Sequence, residues 1–297
     1  MSVLSANTLF HFTKSKENLT SILKSNFRPN YCNERAYFTD EYPNWNIPMV
    51  CFCDIPLLRT LEHRKKYGKY MVGFDKNFLI SNNLVSLNPV HYLNSFFLRN
   101  IGDDFFATQL DLINHSYNNE LVLYIKNKGY MPLLEKYGLE KLMLADEELN
   151  YKKDQISMAV NKLRYSLAFS KLYSSNSNKK KIINYDEREW RYISDFYSED
   201  GNFAPWIPKI SKKDFNDRKN DMNSKLWSNS NAYICFGSGE ICKAVKFIVV
   251  KTERQIPSMI KFIRTSSKIF GADNLSSEHK DLLISRITSF ELIEKNF

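Results

Sequence analysis

The sequence predicts an α+β fold in which a mixed β-sheet forms the core and a helical insertion interrupts it. Short runs rich in aromatic and β-branched residues, which are typical of strands, occur in both the first and the last third of the chain. Between them, from about 88 to 173, apolar residues recur at helical spacing. The chain has 297 residues, of which 43% are hydrophobic, so it can bury a sizeable core. We therefore expect a single domain over 1–297, with the insertion at 88–173 and an irregular loop at 197–231.

The first elements are predicted in the order strand, turn and helix. Leu9–Thr13 is a short aromatic-rich run whose alternation places His11 on the face opposite Phe10. Ser15 is suited to cap a following helix, which must end before Pro29. Two interpretations of His11 stay open. It is either a core histidine bonded to a backbone carbonyl or a polar group aimed into a cleft.

The next segments predict two further strands with a helix between them. Residues 31–45 are aromatic but polar, which indicates an irregular flap. Ile47–Asp54 is apolar until its last residue and predicts a buried strand. Asp54 is then expected to cap a helix that begins at Pro56. Lys69–Phe74 predicts another strand.

The remaining elements follow from the same patterns. In the insertion, Ile156–Leu167 is the clearest amphipathic helix. Residues 174–181 are polar and predict a surface linker, and 201–231 predict a loop because they are charged and Asn-rich. Further strands are predicted at 233–236, 243–250 and 284–293, and a further helix at 256–263.

The stretch Tyr185–Ile193 predicts one strand, entered through a short charged turn, around which the rest of the chain is organised. Trp190 falls on the face that alternation assigns to the core, while Glu187, Glu189 and Arg191 fall on the other face. Most charged strand faces meet water, so this row is either a solvated face or a polar site. The alternation alone does not separate the two.

Charge and cysteine content limit the classes of partner and the cellular compartment that we expect for this protein. Basic residues outnumber acidic ones by 42 to 33, and short basic runs occur at 64–66 and 179–181. Such runs are typical of solvated turns, although they also suit nucleic acid or another polyanion. The five cysteines are odd in number and lack the spacing of a zinc site, which predicts a reducing compartment and no bound metal.

Nothing in the sequence predicts a secreted or membrane protein. The first residues lack a basic segment followed by a long apolar run. No stretch approaches the roughly 20 apolar residues that a membrane span needs. We therefore expect a cytoplasmic location and no membrane partner.

Four segments together resemble the AbiGi family of bacterial abortive-infection proteins. They are His11–Thr13 ahead of a helix, Ile47–Leu57, Lys69–Phe74 and Asp186–Tyr192. AbiGi proteins accompany a toxin of the nucleotidyltransferase type and are considered its antitoxin. The resemblance implies a role in antiphage defence, with a cognate toxin or antitoxin as the partner protein.

The same order of signals is similar, more distantly, to the ADP-ribosyltransferase fold, a split mixed β-sheet around a cleft that binds NAD. This resemblance implies that His11 hydrogen-bonds a ribose of NAD, with Phe12 and Thr13 beside it on the strand. NAD would be a substrate, and no metal is implied. The fold also places an aromatic residue of a middle strand in the cleft, for which the candidates are Phe52, Tyr37 and Phe38.

The resemblance also assigns roles to the charged row. Glu189 would hold the nicotinamide ribose, and Glu187 would prepare the acceptor. Arg191 shares their face, so it either holds the ionised Glu189 in place beside NAD or only neutralises it in a structural ion pair. A carboxylate beside the ribose is favoured as positive charge develops on the oxocarbenium-like species. If this is right, Glu189→Gln lowers the rate on the order of 10²- to 10³-fold and leaves the fold standing.

Two function hypotheses follow. The favoured one is a defence enzyme that transfers ADP-ribose from NAD to a protein or nucleic-acid acceptor, because His11, Glu187 and Glu189 all occupy positions consistent with the fold. The alternative is an inactive copy of the fold that binds and neutralises a partner toxin. The observation that separates them is whether His11 and the Glu187/Glu189 pair line a common pocket.

Overall fold

The computed structural model describes residues 6–35, 44–81, 87–94, 119–151, 165, 168–177, 180–193, 211–228, 234 and 240–296. The strands are β1 (Thr8–Thr13), β2 (Asn30–Arg35), β3 (Asn44–Cys53), β4 (Tyr70–Asp75), β5 (Leu87–Pro89), β6 (His91–Leu93), β7 (Ser170–Leu172), β8 (Ser174–Ser177), β9 (Lys180–Ile183), β10 (Glu189–Ile193), β11 (Val245–Val250), β12 (Lys268–Ile269), β13 (Ala272–Asp273) and β14 (Ile287–Ser289). The helices are α1 (Lys16–Ser25), α2 (Thr60–Tyr67), α3 (Lys76–Ser81), α4 (Met131–Ala145), α5 (Lys212–Ser228), α6 (Glu240–Ala244), α7 (Ile256–Thr265), α8 (Ser277–Ile284) and α9 (Phe290–Asn296).

One large sheet organises the described part of the chain. Its strands lie in the order β14-β11-β4-β1-β3-β10-β5, and β2 pairs with β3. The β11–β14 pair is parallel and the other pairs are antiparallel, so the sheet is mixed, as predicted. β1 pairs with β4 along its whole length, but it meets β3 only at Phe10 opposite Cys53. The two strands therefore diverge at the centre of the sheet.

The register fixes which side chains share a face. Directly opposed residues of neighbouring antiparallel strands point the same way, and both Phe10 and Glu189 oppose Cys53. Phe10, Cys53 and Glu189 therefore lie on one face, which we call face B. His11 follows Phe10 and points to the other face, face A. This assignment decides the geometry of the site.

Apolar side chains cover both faces. On face A, helices α1, α7 and α8 pack Leu19, Met259 and Leu283 against strand residues in the largest buried cluster. On face B, Phe290 of α9 packs against Phe10. Burial of this kind contributes roughly 25 cal/mol per Å² of apolar surface, so the two layers hold the sheet between them.

Several predicted elements are confirmed. β1 and α1 follow each other as expected, and the Ser15 side chain accepts a hydrogen bond from the backbone N–H of Asn18 at the start of α1. The strand at 47–54 is part of β3, the strand at 69–74 is β4, and the helix at 256–263 is part of α7. Alternating or helical spacing of apolar residues was sufficient in these segments because each buries one continuous face.

Asp54 does not cap a helix, which corrects the prediction. Its carboxylate instead accepts hydrogen bonds from the backbone N–H of Ala6 and, at 3.1 Å, from Lys76. The turn after Pro56 is a short 3-10 helix without a side-chain cap. Asp54 thus joins the start of the described chain to the end of β4, a long-range role that local sequence does not indicate.

Three segments predicted as irregular are ordered elements. The first part of the expected flap is β2, which pairs with β3 over six positions. The expected linker at 174–181 contributes to an antiparallel pair, β8 with β9. Within the expected loop at 201–231, residues 212–228 form α5, whose Phe215 and Met222 pack on Tyr31 of β2. In all three cases tertiary packing overrides weak local propensity.

Other predictions are right only in part. The expected strand at 284–293 is the short β14 between α8 and α9, and the expected strand at 243–250 begins at Val245, after α6. Within 233–236, the structure describes Ile234, which bridges to Phe27.

In the insertion, residues 119–127 and α4 are helical, whereas His91–Leu93 and Ser170–Leu172 form a parallel strand pair. Most of the predicted helix at 156–167 lies outside the described residues.

A glycine closes the connection between α2 and β4. Gly68 has φ = 132°, a conformation that other residues rarely adopt. A Cβ atom there would lie 2.1 Å from the carbonyl oxygen of Thr13. Because only glycine fits, α2 can end at Tyr67 directly against β1, which places Tyr67 beside the acidic residues described next.

Candidate functional site

The acidic pair is carried by a turn and a strand rather than by one strand. Residues Asn184–Glu187 form a 3-10 turn, Arg188 adopts a left-handed conformation, and β10 begins at Glu189. The predicted strand entered through a short turn is therefore confirmed, but Glu187 lies in the turn and not on the strand with Glu189. The left-handed residue reverses the chain so that both carboxylates still reach the same buried cluster of charges.

Glu189 is enclosed by two cations. Its Oε1 accepts a hydrogen bond from Nε of Arg191 at 2.8 Å, and its Oε2 accepts one from Nζ of Lys171 at 2.8 Å. Its backbone N–H donates to the hydroxyl of Tyr92 at 2.8 Å. Only 6% of the Glu189 surface is exposed, so both oxygens are bonded and largely sealed from solvent.

Glu187 joins the same cluster through three donors. Lys66 and Tyr67, at the end of α2, both donate to its Oε1. Lys171 donates to its Oε2 at 2.8 Å. Since Lys171 also bonds Glu189, a single ammonium group ties the two carboxylates together and links β7 to β10.

Arg191 completes the cluster and is fully buried. Besides Glu189, its guanidinium donates to the backbone carbonyl of Ala168 at 2.6 Å and to the carboxylate of Glu34 at 3.2 Å. Three carboxylates thus face three cations, and the cluster is formally neutral: Glu34, Glu187, Glu189, Lys66, Lys171 and Arg191. We call this set the ion network. A buried charge is tolerated only when it is paired in this way.

The ion network sets the protonation of its members. Burial alone raises the pKa of Glu189, but Arg191 and Lys171 outweigh it and hold the pKa well below its usual value of 4.5. Burial likewise raises the pKa of Glu187, and Lys171, Lys66 and Tyr67 bring it below normal. Burial lowers the pKa of Lys171, yet its carboxylate neighbours raise it overall. All of these groups are therefore charged at neutral pH.

His11 lies on face A, away from the ion network. Its Nδ1 lies 2.8 Å from the carbonyl oxygen of Cys51, which can only accept, so Nδ1 carries the proton. Its ring contacts Phe27 and Phe52 edge-on. This hydrogen bond spans the gap where β1 and β3 diverge. These contacts agree with the first interpretation of His11, in which the histidine is bonded to a backbone carbonyl.

His11 also lines a cavity of about 500 Å³. Thr13 and Asn26 line it too, as does Trp227, which lies far along the chain on α5. The Oδ1 atom of Asn26 is buried and has no hydrogen-bond partner among the described residues.

The imidazole of His11 makes the protein sensitive to mild acid. Burial lowers its pKa to about 4, partly offset by the Cys51 hydrogen bond. Because the folded pKa lies below the unfolded value of 6.5, the unfolded chain binds the proton first. We expect stability to fall by up to about 3 kcal/mol as the pH drops from 6.5 towards 4.

Urea unfolding of His11→Gln at a series of pH values tests this expectation. The variant should lose the part of the slope that lies between pH 6.5 and 5, whatever its stability at pH 7. His91→Gln, at an exposed histidine, is the matched control and should keep the wild-type slope. An unchanged slope in His11→Gln would contradict the assignment.

The predicted site residues are divided between the two faces. His11, Thr13 and Phe52 belong to face A, whereas Phe12, Glu189 and Arg191 belong to face B. His11 lines the 500 Å³ cavity, and Glu189 lines a different cavity of about 280 Å³. Tyr37 and Phe38 lie outside the described residues. The structure therefore does not bring the imidazole and the acidic pair into one pocket, and the NAD-binding and catalytic roles remain predictions.

Sequence reasoning missed half of the ion network. Lys171 lies in a segment predicted as helical, Lys66 lies in the basic run 64–66 that is typical of solvated turns, and Glu34 lies in the expected flap. Tyr67 and Glu187 are 120 positions apart in the chain. The sole local signal for these contacts was the Tyr67-Gly68 turn. It indicates where a helix ends, but it does not indicate which residues the end of that helix contacts.

The described residues contain neither a metal cluster nor a membrane helix. Among them, no three His, Cys, Asp or Glu side chains are grouped to hold a metal ion. No helix in that part of the chain is long and apolar enough to cross a membrane. Burial raises the pKa of Cys32 to about 11 and raises that of Cys51 well above its usual value, so these thiols are protonated at neutral pH.

The fold and the ion network define a mixed-sheet α+β protein whose acidic pair is bound to its own lysine and arginine side chains. A model of the family described as "Putative abortive phage resistance protein AbiGi, antitoxin" matches residues 25–250. The chain belongs to the AbiGi family. It is 25% identical over 272 residues to the "Abortive phage resistance protein AbiGi" of Lactococcus lactis subsp. cremoris, covering 85% of this chain and 90% of that relative. No solved structure matches the chain.

Proposed function

We propose that this protein is an antitoxin that neutralises its cognate toxin by binding it, and not by transferring ADP-ribose. Membership of the AbiGi family supports the antiphage and antitoxin roles. The toxin would be of the nucleotidyltransferase type that the family resemblance implies. This is the alternative function of the sequence analysis, and it now takes precedence over the enzyme.

The observation that carries the proposal is the division of the predicted NAD site. Stabilising an oxocarbenium ion requires a carboxylate that can approach the ribose as charge develops. Both oxygens of Glu189 are already bonded to Lys171 and Arg191, and its side chain lies on the face opposite His11. The acidic pair therefore serves the structure of the protein, which leaves binding as the better-supported activity.

A titration of the purified toxin with the purified chain tests this proposal. A binding antitoxin needs about one copy for each copy of toxin, whereas an enzyme inactivates many. We expect the nucleotidyl-transfer activity of the toxin to fall linearly to an end point near equal molar amounts, with no NAD added. Heat-unfolded chain is the control. Inactivation by a small fraction of an equivalent that requires NAD would contradict the proposal and restore the enzyme.

NAD binding at the His11 cavity is a second candidate function. It is supported by the cavity volume of about 500 Å³ and by the polar residues among its lining, such as His11, Thr13 and Asn26. A ligand that binds only the folded state stabilises it by about 2.7 kcal/mol at 100 times its Kd. NAD should then raise the Tm of the wild type and of Glu189→Gln, but not that of His11→Ala. If NAD leaves the wild-type Tm unchanged, this candidate fails and the antitoxin proposal stands.

A further inference from the structure

The turn that precedes β10 builds a second cavity, separate from the His11 cavity. It has a volume of about 280 Å³ and lies beside the left-handed residue Arg188. Three aromatic rings contribute to its lining, from Tyr92, Tyr185 and Trp190. Neither the ion network nor the His11 cavity accounts for this arrangement.

The charges around this cavity leave one cation uncompensated. Two carboxylates line it, but Asp54 is bonded to Lys76 and to the N–H of Ala6, and Glu189 belongs to the ion network. The Arg188 side chain makes no hydrogen bond or ion pair with any residue that the structure describes. A guanidinium group in that state favours an anionic ligand, above all a phosphate or carboxylate that it can bind through two parallel hydrogen bonds.

The aromatic rings beside Arg188 form an exposed stack. Tyr185 packs edge-on against Tyr92, with ring centres 5.3 Å apart, and lies nearly parallel to Tyr173 at 5.6 Å. The Tyr92 hydroxyl accepts the N–H of Glu189, which fixes that ring in place. Tyr173 and Tyr185 are 43% and 45% exposed. Flat rings held rigidly at the surface are suited to stack on the π face of a planar ligand.

The backbone at Arg188 adds a further indication of function. Its φ of 42° and ψ of 52° are left-handed, a conformation that disfavours side chains other than those of Gly, Asn and Asp. Its carbonyl accepts the N–H of Asp54 at 3.0 Å, and its own N–H donates to the carbonyl of Tyr185 at 3.1 Å. Strained residues of this kind cluster at binding sites. The turn would be easier to form with glycine or asparagine, so the arginine contributes something other than turn stability.

We propose that this cavity binds a nucleotide unit, with the base against Tyr185 and the phosphate on the guanidinium of Arg188. The nucleotide is either free, as in AMP, or part of a single-stranded RNA. The site goes beyond the antitoxin proposal and does not depend on it.

Fluorescence anisotropy of the full-length chain with a labelled ten-nucleotide adenosine RNA tests the site, with unlabelled AMP as competitor. We expect Arg188→Asn to weaken binding at least tenfold, because asparagine keeps the left-handed turn but lacks the charge. Tyr185→Leu should weaken it severalfold through loss of stacking. Arg254→Gln, at an exposed arginine, and His11→Ala, in the other cavity, should both bind as the wild type does.

The outcomes separate the sources of the ligand. Competition by AMP at concentrations similar to its own Kd supports a free nucleotide, and RNA binding that AMP does not displace supports a single-stranded nucleic acid. The proposal is overturned if AMP at millimolar concentration and RNA at micromolar concentration both fail to bind. It is also overturned by binding that His11→Ala abolishes and Arg188→Asn leaves intact. If Arg188→Asn impairs toxin binding while neither probe binds, the surface contacts the toxin instead, and the nucleotide assignment is wrong.

Discussion

Replacing Arg191 by alanine is expected to lower the free energy of unfolding by about 3–5 kcal/mol, which is the effect of removing one partner from a buried ion pair. The guanidinium has no solvent exposure and bonds Glu189, Glu34 and the carbonyl of Ala168. Its loss leaves Glu189 with Lys171 alone and leaves a carbonyl oxygen without its donor. Urea unfolding at pH 7, followed by circular dichroism, measures the change.

Two further variants make the Arg191 result interpretable. Arg254→Ala removes an exposed arginine and should leave the unfolding midpoint within experimental error. The double variant Arg191→Met with Glu189→Met removes both members of the pair and should recover part of the lost stability, because Lys171 still has Glu187. A loss below about 1 kcal/mol in Arg191→Ala would mean that solvent reaches the pair.

Glu189→Gln is expected to destabilise the fold by about 3 kcal/mol at pH 7 and to flatten its response to strong acid. The neutral amide leaves Arg191 and Lys171 with one carboxylate fewer. In the wild type, the folded pKa of Glu189 lies below the unfolded value of 4.5. Its stabilising contribution is therefore present above pH 4.5 and is lost as the pH falls through the folded pKa.

The acid limb of the stability curve distinguishes this expectation from the catalytic one. Urea unfolding between pH 5 and 2 should show a shallower decline for Glu189→Gln than for the wild type. Glu62→Gln, at an exposed position on α2, is the matched control and should follow the wild type. A Glu189→Gln protein with wild-type stability and wild-type acid response would instead favour the sequence-based prediction that this carboxylate acts on NAD.

The elements that the sequence predicted well are those that bury a continuous apolar face. β1, α1, β3, β4 and α7 lie where the spacing of apolar residues placed them. The elements it missed are β2, the β8–β9 pair and α5. Their local sequences are polar, and they are ordered by contacts with distant segments, such as the hydrogen bond from the backbone of Tyr31 to Asn223 of α5. Propensity read along a short window carries no information about such contacts.

The candidate site shows the same limit at the level of single residues. Alternation along β10 correctly separated Trp190 from Glu189, and alternation along β1 correctly separated His11 from Phe10. Whether His11 and Glu189 share a face, however, depends on how β1 and β10 are paired with the strand between them. The register through Cys53 places them on opposite faces. A shift of one residue in that register would have placed them together.

The sequence by itself determined the α+β class, the mixed sheet with its flanking helices, the likeness to the AbiGi family and the identity of the charged row at 187–191. These features depend on local periodicity and on residue type, which a single chain displays directly. The tertiary structure alone decided what the charges do, because α2 brings Lys66 and Tyr67, β7 brings Lys171 and β2 brings Glu34 to the residues at 187–191 from three separate segments. It also brought Arg188, Tyr92, Tyr185 and Trp190 together around one cavity. Contacts between segments far apart in the chain are set by packing, and packing cannot be deduced from any one segment.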